Sequence, residues 1–163
     1  MQPRPKYLVV AKTGRALAAS AKRGGCPVYV LDCFADRDTC GEALTVKQIP
    51  ANGNCFDADL LRSAVEKICL EHPGMQLVPG SGFEQQPGLL QVLSEIAPCV
   101  GNPAEVVRNI KDPLCFFSLL NELGIPYPPT TTLYPPAGHN WLMKSIGGMG
   151  GDHIAHMDKY SVL

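Results

Sequence analysis

The chain has 163 residues, 45% of them hydrophobic and 18% charged, which is enough for one ordinary domain or for one domain plus part of another. Fourteen basic residues against fifteen acidic ones give a net charge of -1, so no global field favours nucleic acid or an anionic membrane surface. The expected partners are therefore small molecules or proteins, with no nucleic acid and no membrane among them.

The cysteines and the amino terminus indicate a cytoplasmic protein. The seven cysteines are odd in number, contain no C-x-x-C pair and mostly lie in apolar runs, so we predict reduced core thiols. Histidines lie far from the evenly spaced Cys26, Cys33 and Cys40, so no metal site is predicted there. The apolar run 7–11 is too short for a signal peptide, and no segment approaches the length of a membrane span.

The first hundred residues alternate strand-like and helix-like patterns. Residues 7–11 predict a buried strand, 14–23 an alanine-rich helix that ends at Gly24, 27–32 a second strand, 33–41 a loop or short helix, and 44–49 a third strand. Next come a helix at 57–71 capped by Asp57, a strand at 75–78, a glycine-bearing turn at 79–84, a helix at 89–96 and a short fifth strand at 99–100. This order is typical of an α/β, Rossmann-like fold with a parallel sheet.

The pattern changes after Asn102, where we place a domain boundary. Two helices follow in succession, at 104–110 and 113–123. The segment 126–136 holds five of the fifteen prolines and is predicted to be an extended connector. A strand at 141–144, a glycine-rich loop and a return strand at 153–156 then predict a hairpin.

The loop of this hairpin has the composition of a phosphate site. Lys144 is followed by Gly147, Gly148, Gly150 and Gly151. Phosphate oxygens need unhindered backbone N–H donors and a nearby positive charge, and glycines let the backbone approach closely. A flexible hairpin turn has the same composition, so the spacing alone leaves both interpretations open. A Walker loop is excluded because G-x-x-x-x-G-K-[ST] does not occur.

A second candidate is the turn that contains Gly80, Ser81, Gly82 and Glu84. It follows a predicted strand, at the edge where open α/β sheets place their ligands, so we predict substrate binding there. A dinucleotide fingerprint fails because Gln85 replaces the last glycine. Asp32, at the end of the second strand, is either a ribose ligand or an acid that caps its own loop.

Three segments in order resemble a known family. Residues 79–84 resemble a P-G-x-G-F turn, residues 101–126 resemble a stretch G-P-x-x-E-x-x-R, an aspartate and a G-I/V-P, and residues 141–151 resemble a strand, lysine and glycine loop over a nucleotide. Together they resemble the amino-terminal part of ATP-grasp proteins of the biotin carboxylase and carbamoyl-phosphate synthase type. The resemblance implies a pre-ATP-grasp domain at 1–102 and an incomplete N-terminal part of an ATP-grasp domain at 103–163.

The resemblance also implies cofactors and site residues. ATP and Mg²⁺ serve a complete family member, which activates a carboxylate as an acylphosphate that an amine or thiol then attacks. Lys144 and the four glycines would hold the phosphates. Pro113 stands where the family often has a lysine after its aspartate, and Lys111, on the other side of Asp112, is the substitute that we assign. The family's metal ligands and catalytic residues lie beyond the glycine loop, so no catalytic residue is assigned.

Two functions follow from these predictions. The first is the amino-terminal portion of an ATP-grasp ligase that binds ATP weakly, is inactive alone and takes an unknown carboxylate. Because Glu84, Asp152 and Asp158 are scattered, the chain offers no acidic cluster for Mg²⁺. The alternative is a non-catalytic Rossmann-like module that binds a ligand or a protein. An exposed half-lobe would present apolar surface, so a homodimer is expected in either case.

Overall fold

The computed structural model describes residues 5–53, 55–136, 140–151 and 153–157. The chain forms two compact units, Met1–Val107 and Arg108–Leu163. Asp152 and Asp158, which were considered as acidic metal ligands, lie outside the described residues.

Fourteen elements are described. In chain order they are β1 (Lys6–Val10), α1 (Arg15–Arg23), β2 (Val28–Asp32), α2 (Arg37–Glu42), β3 (Thr45–Gln48), β4 (Ala51–Asn52), β5 (Cys55–Phe56), α3 (Ala58–Glu71), β6 (Met75–Pro79), α4 (Pro87–Ile96), α5 (Ala104–Lys111), α6 (Pro113–Glu122), β7 (Leu142–Lys144) and β8 (Ile154–His156).

The first unit is built on a parallel sheet, as predicted. Its strand order is β3-β2-β1-β6, with Tyr7 opposite Val28 and Lys6 opposite Met75. β1 is therefore central, and the chain crosses from one side of β1 to the other between β3 and β6. This reversal creates a topological switch point beside β1.

The prediction of a fifth strand at 99–100 is wrong. The predicted strand is reduced to one parallel bridge, in which Leu77 faces Cys99. The N–H of Leu77 donates to Pro98 at 2.8 Å and the N–H of Val100 donates to Leu77 at 2.7 Å. Pro98 has no N–H to donate, and residues 101–103 leave the sheet toward α5, so the pairing with β6 does not extend beyond this bridge.

Alternate residues of β1 pack into two separate cores. Leu8 and Val10 lie in a core formed with α3 and α4, while Val9 lies in a smaller core with α1. All three side chains are at most 2% exposed. Successive side chains of a strand point to opposite faces, so a continuous apolar run is what a sheet covered on both faces needs.

The cap predicted for α3 is present. The side chain of Asp57 accepts the N–H of Leu60 at 3.0 Å, and its backbone is extended. We expect Asp57→Ala to lower the free energy of unfolding by about 1 kcal/mol, because an N-terminal amide of the helix loses its acceptor. Urea denaturation measures this free energy. Asp59→Ala, two residues further on in the first turn of α3, is the control and should lower it less. An equal loss in the two variants would contradict the cap.

The second unit begins with the end of α5 and continues into α6, which buries none of its residues. Gly124, with φ of +64°, ends that helix, and residues 126–136 form neither helix nor strand, as expected for the connector. β7 and β8 are antiparallel, with Leu142 opposite His156 and Lys144 opposite Ile154. The predicted hairpin is therefore present.

The cysteine prediction is correct only in part. All seven thiols are free, but Cys40 and Cys115 are exposed and the other five are only partly buried. Cys40 lies on the short, polar helix α2, and Cys115 lies on α6, which buries none of its residues, so the apolar neighbours of Cys115 did not ensure its burial. None of the helices within the described ranges is long and apolar enough to cross a bilayer.

Candidate functional site

Three loops meet at the carboxyl edge of the parallel sheet. The N–H of Lys12, after β1, donates to Ser81, after β6, at 2.6 Å. The N–H of Cys33, after β2, donates to Lys12 at 3.1 Å. The turn that contains Ser81 is thus fixed beside the switch point, where open α/β sheets place ligands. Its role in substrate binding stays a prediction.

Asp32 is occupied by its own loops. The side chain is fully buried, and its Oδ2 accepts the N–H of Gly14 at 3.1 Å. Its Oδ1 accepts the N–H groups of Phe34 at 3.2 Å and of Ala35 at 2.7 Å. Ala35 has a φ of +45°, a backbone conformation that is energetically unfavourable for a residue with a Cβ. The hydrogen bond to the Asp32 carboxylate stabilises Ala35 in this conformation. Of the two roles predicted for Asp32, these bonds favour the loop-capping acid.

The glycines of the turn after β6 allow close packing. A Cβ on Gly80 would lie 2.6 Å from the Cβ of Ala11, and Gly82 has a φ of +114° with the Phe56 ring 2.5 Å from its missing Cβ. The N–H of Gly82 donates to Glu84 Oε2 at 2.7 Å, so the Glu84 carboxylate stabilises its own turn. These contacts explain the glycines without a ligand.

A side-chain clamp that the sequence did not reveal joins β5 to α4. Gln86 Oε1 accepts the N–H of Phe56 at 2.7 Å, and Gln86 Nε2 donates to the carbonyl of Phe56 at 3.1 Å. The Gln86 amide therefore extends the pairing of β5 as a further strand residue would. No local pattern signals such a bond between residues 30 positions apart, so it could not have been predicted from the sequence.

The thiol at this edge is held in its protonated form. Burial raises the pKa of the Cys33 thiol, and the neighbouring negative charge of Asp32 raises it further, while Lys12 acts in the opposite direction. A thiol with a raised pKa is a poor nucleophile at neutral pH because it carries little thiolate. Cys33 is therefore a packing residue against the larger core.

The glycine loop has a defined shape in the second unit. Lys144 ends β7 and is exposed, whereas Gly147 and Gly148 are buried. Gly147 and Gly150 each have a φ of +73°, and Gly151 has a φ of +91°. Side chains with a Cβ rarely adopt these conformations, so the glycines are needed for the path of the chain.

The hydrogen bonds of this loop leave several donors unused. The N–H of Gly148 donates to Ser145 at 3.2 Å, which closes a tight turn. The amides of Gly147, Met149, Gly150 and Gly151 donate to no acceptor within the described ranges. Free amides in left-handed glycine conformations are the groups that form anion-binding concavities.

The structure brings Lys111 to this loop. Lys111 Nζ donates to the carbonyl of Gly148 at 3.3 Å, across 37 positions of sequence. His153 lies beside the same glycine, with its ring where a Cβ on Gly148 would be and its Nδ1 3.2 Å from the carbonyl of Met149. His153 was not predicted as part of the loop. Contact of Lys111 or Lys144 with a nucleotide stays a prediction.

The described residues do not fit a resident Mg²⁺ ion. No group of three or more histidine, cysteine, aspartate or glutamate residues gathers within the ranges that the structure describes. Mg²⁺ prefers carboxylate and water oxygens, whereas the two described side chains that contact the glycine loop through hydrogen bonds are Lys111 and His153. Neither of these two side chains offers an oxygen ligand for Mg²⁺.

No protein-family profile and no curated protein sequence matches the chain. Solved structures do match it. An L-amino acid ligase from Bacillus licheniformis is 15% identical with a TM-score of 0.66, over 98% of this chain and 40% of that one.

Two further solved structures match nearly the whole of this chain at a similar TM-score and identity. The biotin carboxylase domain dimer of Hydrogenobacter thermophilus 2-oxoglutarate carboxylase, in complex with MgADP, ADP and bicarbonate, is 17% identical with a TM-score of 0.65, over 96% of this chain and 38% of that one. The N5-carboxyaminoimidazole ribonucleotide synthetase of Thermotoga maritima is 16% identical with a TM-score of 0.62, over 96% of this chain and 42% of that one.

These structural neighbours are ATP-grasp enzymes, and the chain matches their N-terminal part. The resemblance predicted from the three sequence segments is therefore confirmed for the fold, as is the α/β, pre-ATP-grasp-like class. The chain spans about 38% to 42% of the length of the three structures described.

Proposed function

We propose that this chain is the amino-terminal portion of an ATP-grasp carboxylate–amine or carboxylate–thiol ligase, and that it binds ATP phosphates at the glycine loop. The observation that carries the proposal is the loop itself. The amides of Gly147, Gly150 and Gly151 donate to no acceptor within the described ranges and lie three to seven positions after Lys144, and Lys111 reaches the same loop from α5.

Each group of the loop has a distinct task in this proposal. The amides donate to phosphate oxygens, as in other anion-binding nests of successive N–H groups. Lys144 and Lys111 add charge-assisted bonds, which are shorter and about twice as strong as neutral ones. The exposed position of Lys144 leaves its ammonium hydrated, so part of its attraction to phosphate is lost to solvent. Weak affinity is the expected result.

The rest of the reaction needs groups that the described residues do not supply. Forming an acylphosphate requires positive charge on the β- and γ-phosphates and on the transferred phosphoryl group. Since the described residues gather no metal ligands, Mg²⁺ would reach the loop with the nucleotide. We therefore propose weak binding of MgATP without ligase activity by this chain alone.

The remaining assignments belong to the same proposal. Residues 1–102 act as the pre-ATP-grasp domain and residues 103–163 as the first part of the ATP-grasp domain. The turn with Gly80, Ser81, Gly82 and Glu84 faces the carboxylate substrate. A homodimer is supported by apolar side chains of the second unit that are about half or more exposed, among them Leu114, Leu119, Leu123, Leu133 and Tyr134.

Isothermal titration with MgATP tests the nucleotide role. We expect binding by the wild-type chain, and a loss of about tenfold or more in affinity for Lys144→Ala, since a hydrogen bond to a charged group contributes about 1.5–3 kcal/mol. Lys47→Ala, at an exposed lysine of β3 in the first unit, is the control and should bind as the wild type does. Far-UV circular dichroism of both variants verifies that each is folded.

Two results would count against the nucleotide role. One is the absence of any heat of binding with the wild-type chain. The other is equal affinity in the wild type and the Lys144→Ala variant. Either would favour the alternative function, a non-catalytic Rossmann-like module that binds another ligand or a protein.

A further inference from the structure

The glycine loop is held from one side by Lys111. This lysine is the last residue of α5, is partly buried, and donates from Nζ to the carbonyl of Gly148 at 3.3 Å. The acceptor is a backbone atom at the centre of the glycine run. Lys111 therefore contacts the loop through the loop backbone and not through a side chain of the loop.

His153 holds the loop from within the hairpin. Its Nδ1 lies 3.2 Å from the carbonyl of Met149, and its own carbonyl accepts the N–H of Ser145 at 3.2 Å. Its ring fills the space that a Cβ on Gly148 would occupy, so any larger residue at Gly148 would displace the ring. One residue thus links both ends of the loop and packs against its middle.

Both contacts use carbonyl groups of the loop and occupy none of its amides. Lys111 engages the carbonyl of Gly148, and His153 engages that of Met149. The carbonyl of one residue and the N–H of the next residue lie in the same peptide plane, so a hydrogen bond that orients the carbonyl also orients that N–H. The next amides are those of Met149 and Gly150, which have no acceptor among the described residues.

We propose that Lys111 and His153 are positioning residues that set the glycine loop in an anion-accepting shape before any nucleotide arrives. The inference rests on the proposed phosphate role of the loop and adds to it how the loop is prepared. Donors that are oriented in advance bind without the entropic cost of ordering a flexible segment. Lys111 and His153 therefore strengthen phosphate binding through the loop backbone, apart from any charge that they contribute.

Amide hydrogen exchange by NMR in the nucleotide-free full chain tests the inference. The amides to follow are those of Ser145, Gly148 and Ile154, which are hydrogen-bonded within the hairpin. In Lys111→Met and in His153→Ala we expect these amides to exchange about fivefold faster, the factor that the loss of one hydrogen bond gives. The amides of Leu8 and Val9 in the first unit should keep their wild-type rates.

Conservative variants separate positioning from general damage. Lys111→Arg keeps a donor on the same helix position, and His153→Asn keeps a side-chain nitrogen close to where Nδ1 lies, so both should return the exchange rates to within twofold of wild type. Lys67→Met, at an exposed lysine of α3, is the matched control for loss of a surface charge. It should leave the hairpin amides unchanged.

Unchanged exchange in both Lys111→Met and His153→Ala would overturn the inference. A faster exchange that includes Leu8 and Val9 to the same degree would overturn it as well, because the substitutions would then act by unfolding the whole chain. The measurement is made without nucleotide, whereas the proposed function is tested by titration of the wild-type chain with MgATP. A preformed loop in a chain that binds no ATP would therefore disprove the function and not the positioning.

Discussion

Replacing Asp32 by alanine is expected to lower the free energy of unfolding of the first unit by roughly 3–6 kcal/mol, because three amides lose a charged acceptor and each such loss costs about 1–2 kcal/mol. The affected amides are those of Gly14, Phe34 and Ala35, at 3.1, 3.2 and 2.7 Å from the carboxylate. Asp32 is fully buried, and so is its bond to Gly14, so water cannot replace that bond unless the loops open, whereas the bonds to Phe34 and Ala35 are partly buried.

Asp32→Asn separates the two oxygens of this carboxylate. The asparagine carbonyl can still accept from Phe34 and Ala35, but its NH₂ group would then face the N–H of Gly14, so about half of the loss is expected. Urea denaturation followed by circular dichroism measures each variant, with Asp38→Ala, at an exposed acid of α2, as the control. A loss of less than about 1 kcal/mol in Asp32→Ala would contradict the capping role.

Replacing Gly82 by alanine is the second change with a large expected effect. Gly82 has a φ of +114°, and a Cβ there would lie 2.5 Å from the Phe56 ring. Backbone strain of this kind costs about 1–3 kcal/mol, and overpacking costs about as much again. We expect a loss of roughly 2–6 kcal/mol in the free energy of unfolding. Phe56 has little room to move, since it is 5% exposed and its backbone is bonded to Gln86.

Gly88→Ala is the matched control for Gly82→Ala. Gly88 lies in α4, and nothing is within 4 Å of where its Cβ would be. Alanine there should be neutral or stabilising by up to about 1 kcal/mol, because alanine favours the helix. Thermal and urea denaturation of both variants measure the difference. Equal stability of the two variants would show that neither the positive φ nor the Phe56 ring restricts the turn.

Local patterns in the sequence determined most of the elements. Apolar runs at 7–11 and 27–32 predicted β1 and β2 because strands covered on both faces need them, and Asp57 predicted the start of α3 because its side chain can accept a free amide. The ordered motifs from 79 to 151 predicted the ATP-grasp-like fold. All these signals act between residues close in sequence or in a fixed order, so they are legible without a structure.

Tertiary structure alone decided how distant residues meet. β4 and β5 are only two residues each, too short for a periodic signal. The strand predicted at 99–100 is one bridge to β6, because Pro98 has no N–H to donate and residues 101–103 leave the sheet. Asp32 was predicted as either a ribose ligand or a loop cap. The capping role is favoured by hydrogen bonds from three amides that the loops after β1 and β2 bring to its carboxylate.

The glycine loop shows both contributions. Its glycines and the lysine that precedes them are evident from the sequence, and the structure gives Gly147, Gly150 and Gly151 a positive φ. The contacts of Lys111 and His153 with that loop could not be predicted from the sequence, because side-chain contacts depend on the tertiary structure. Lys111, for example, lies 37 positions from Gly148. The sequence thus determined which groups the loop contains, and folding decided which of them are held in place.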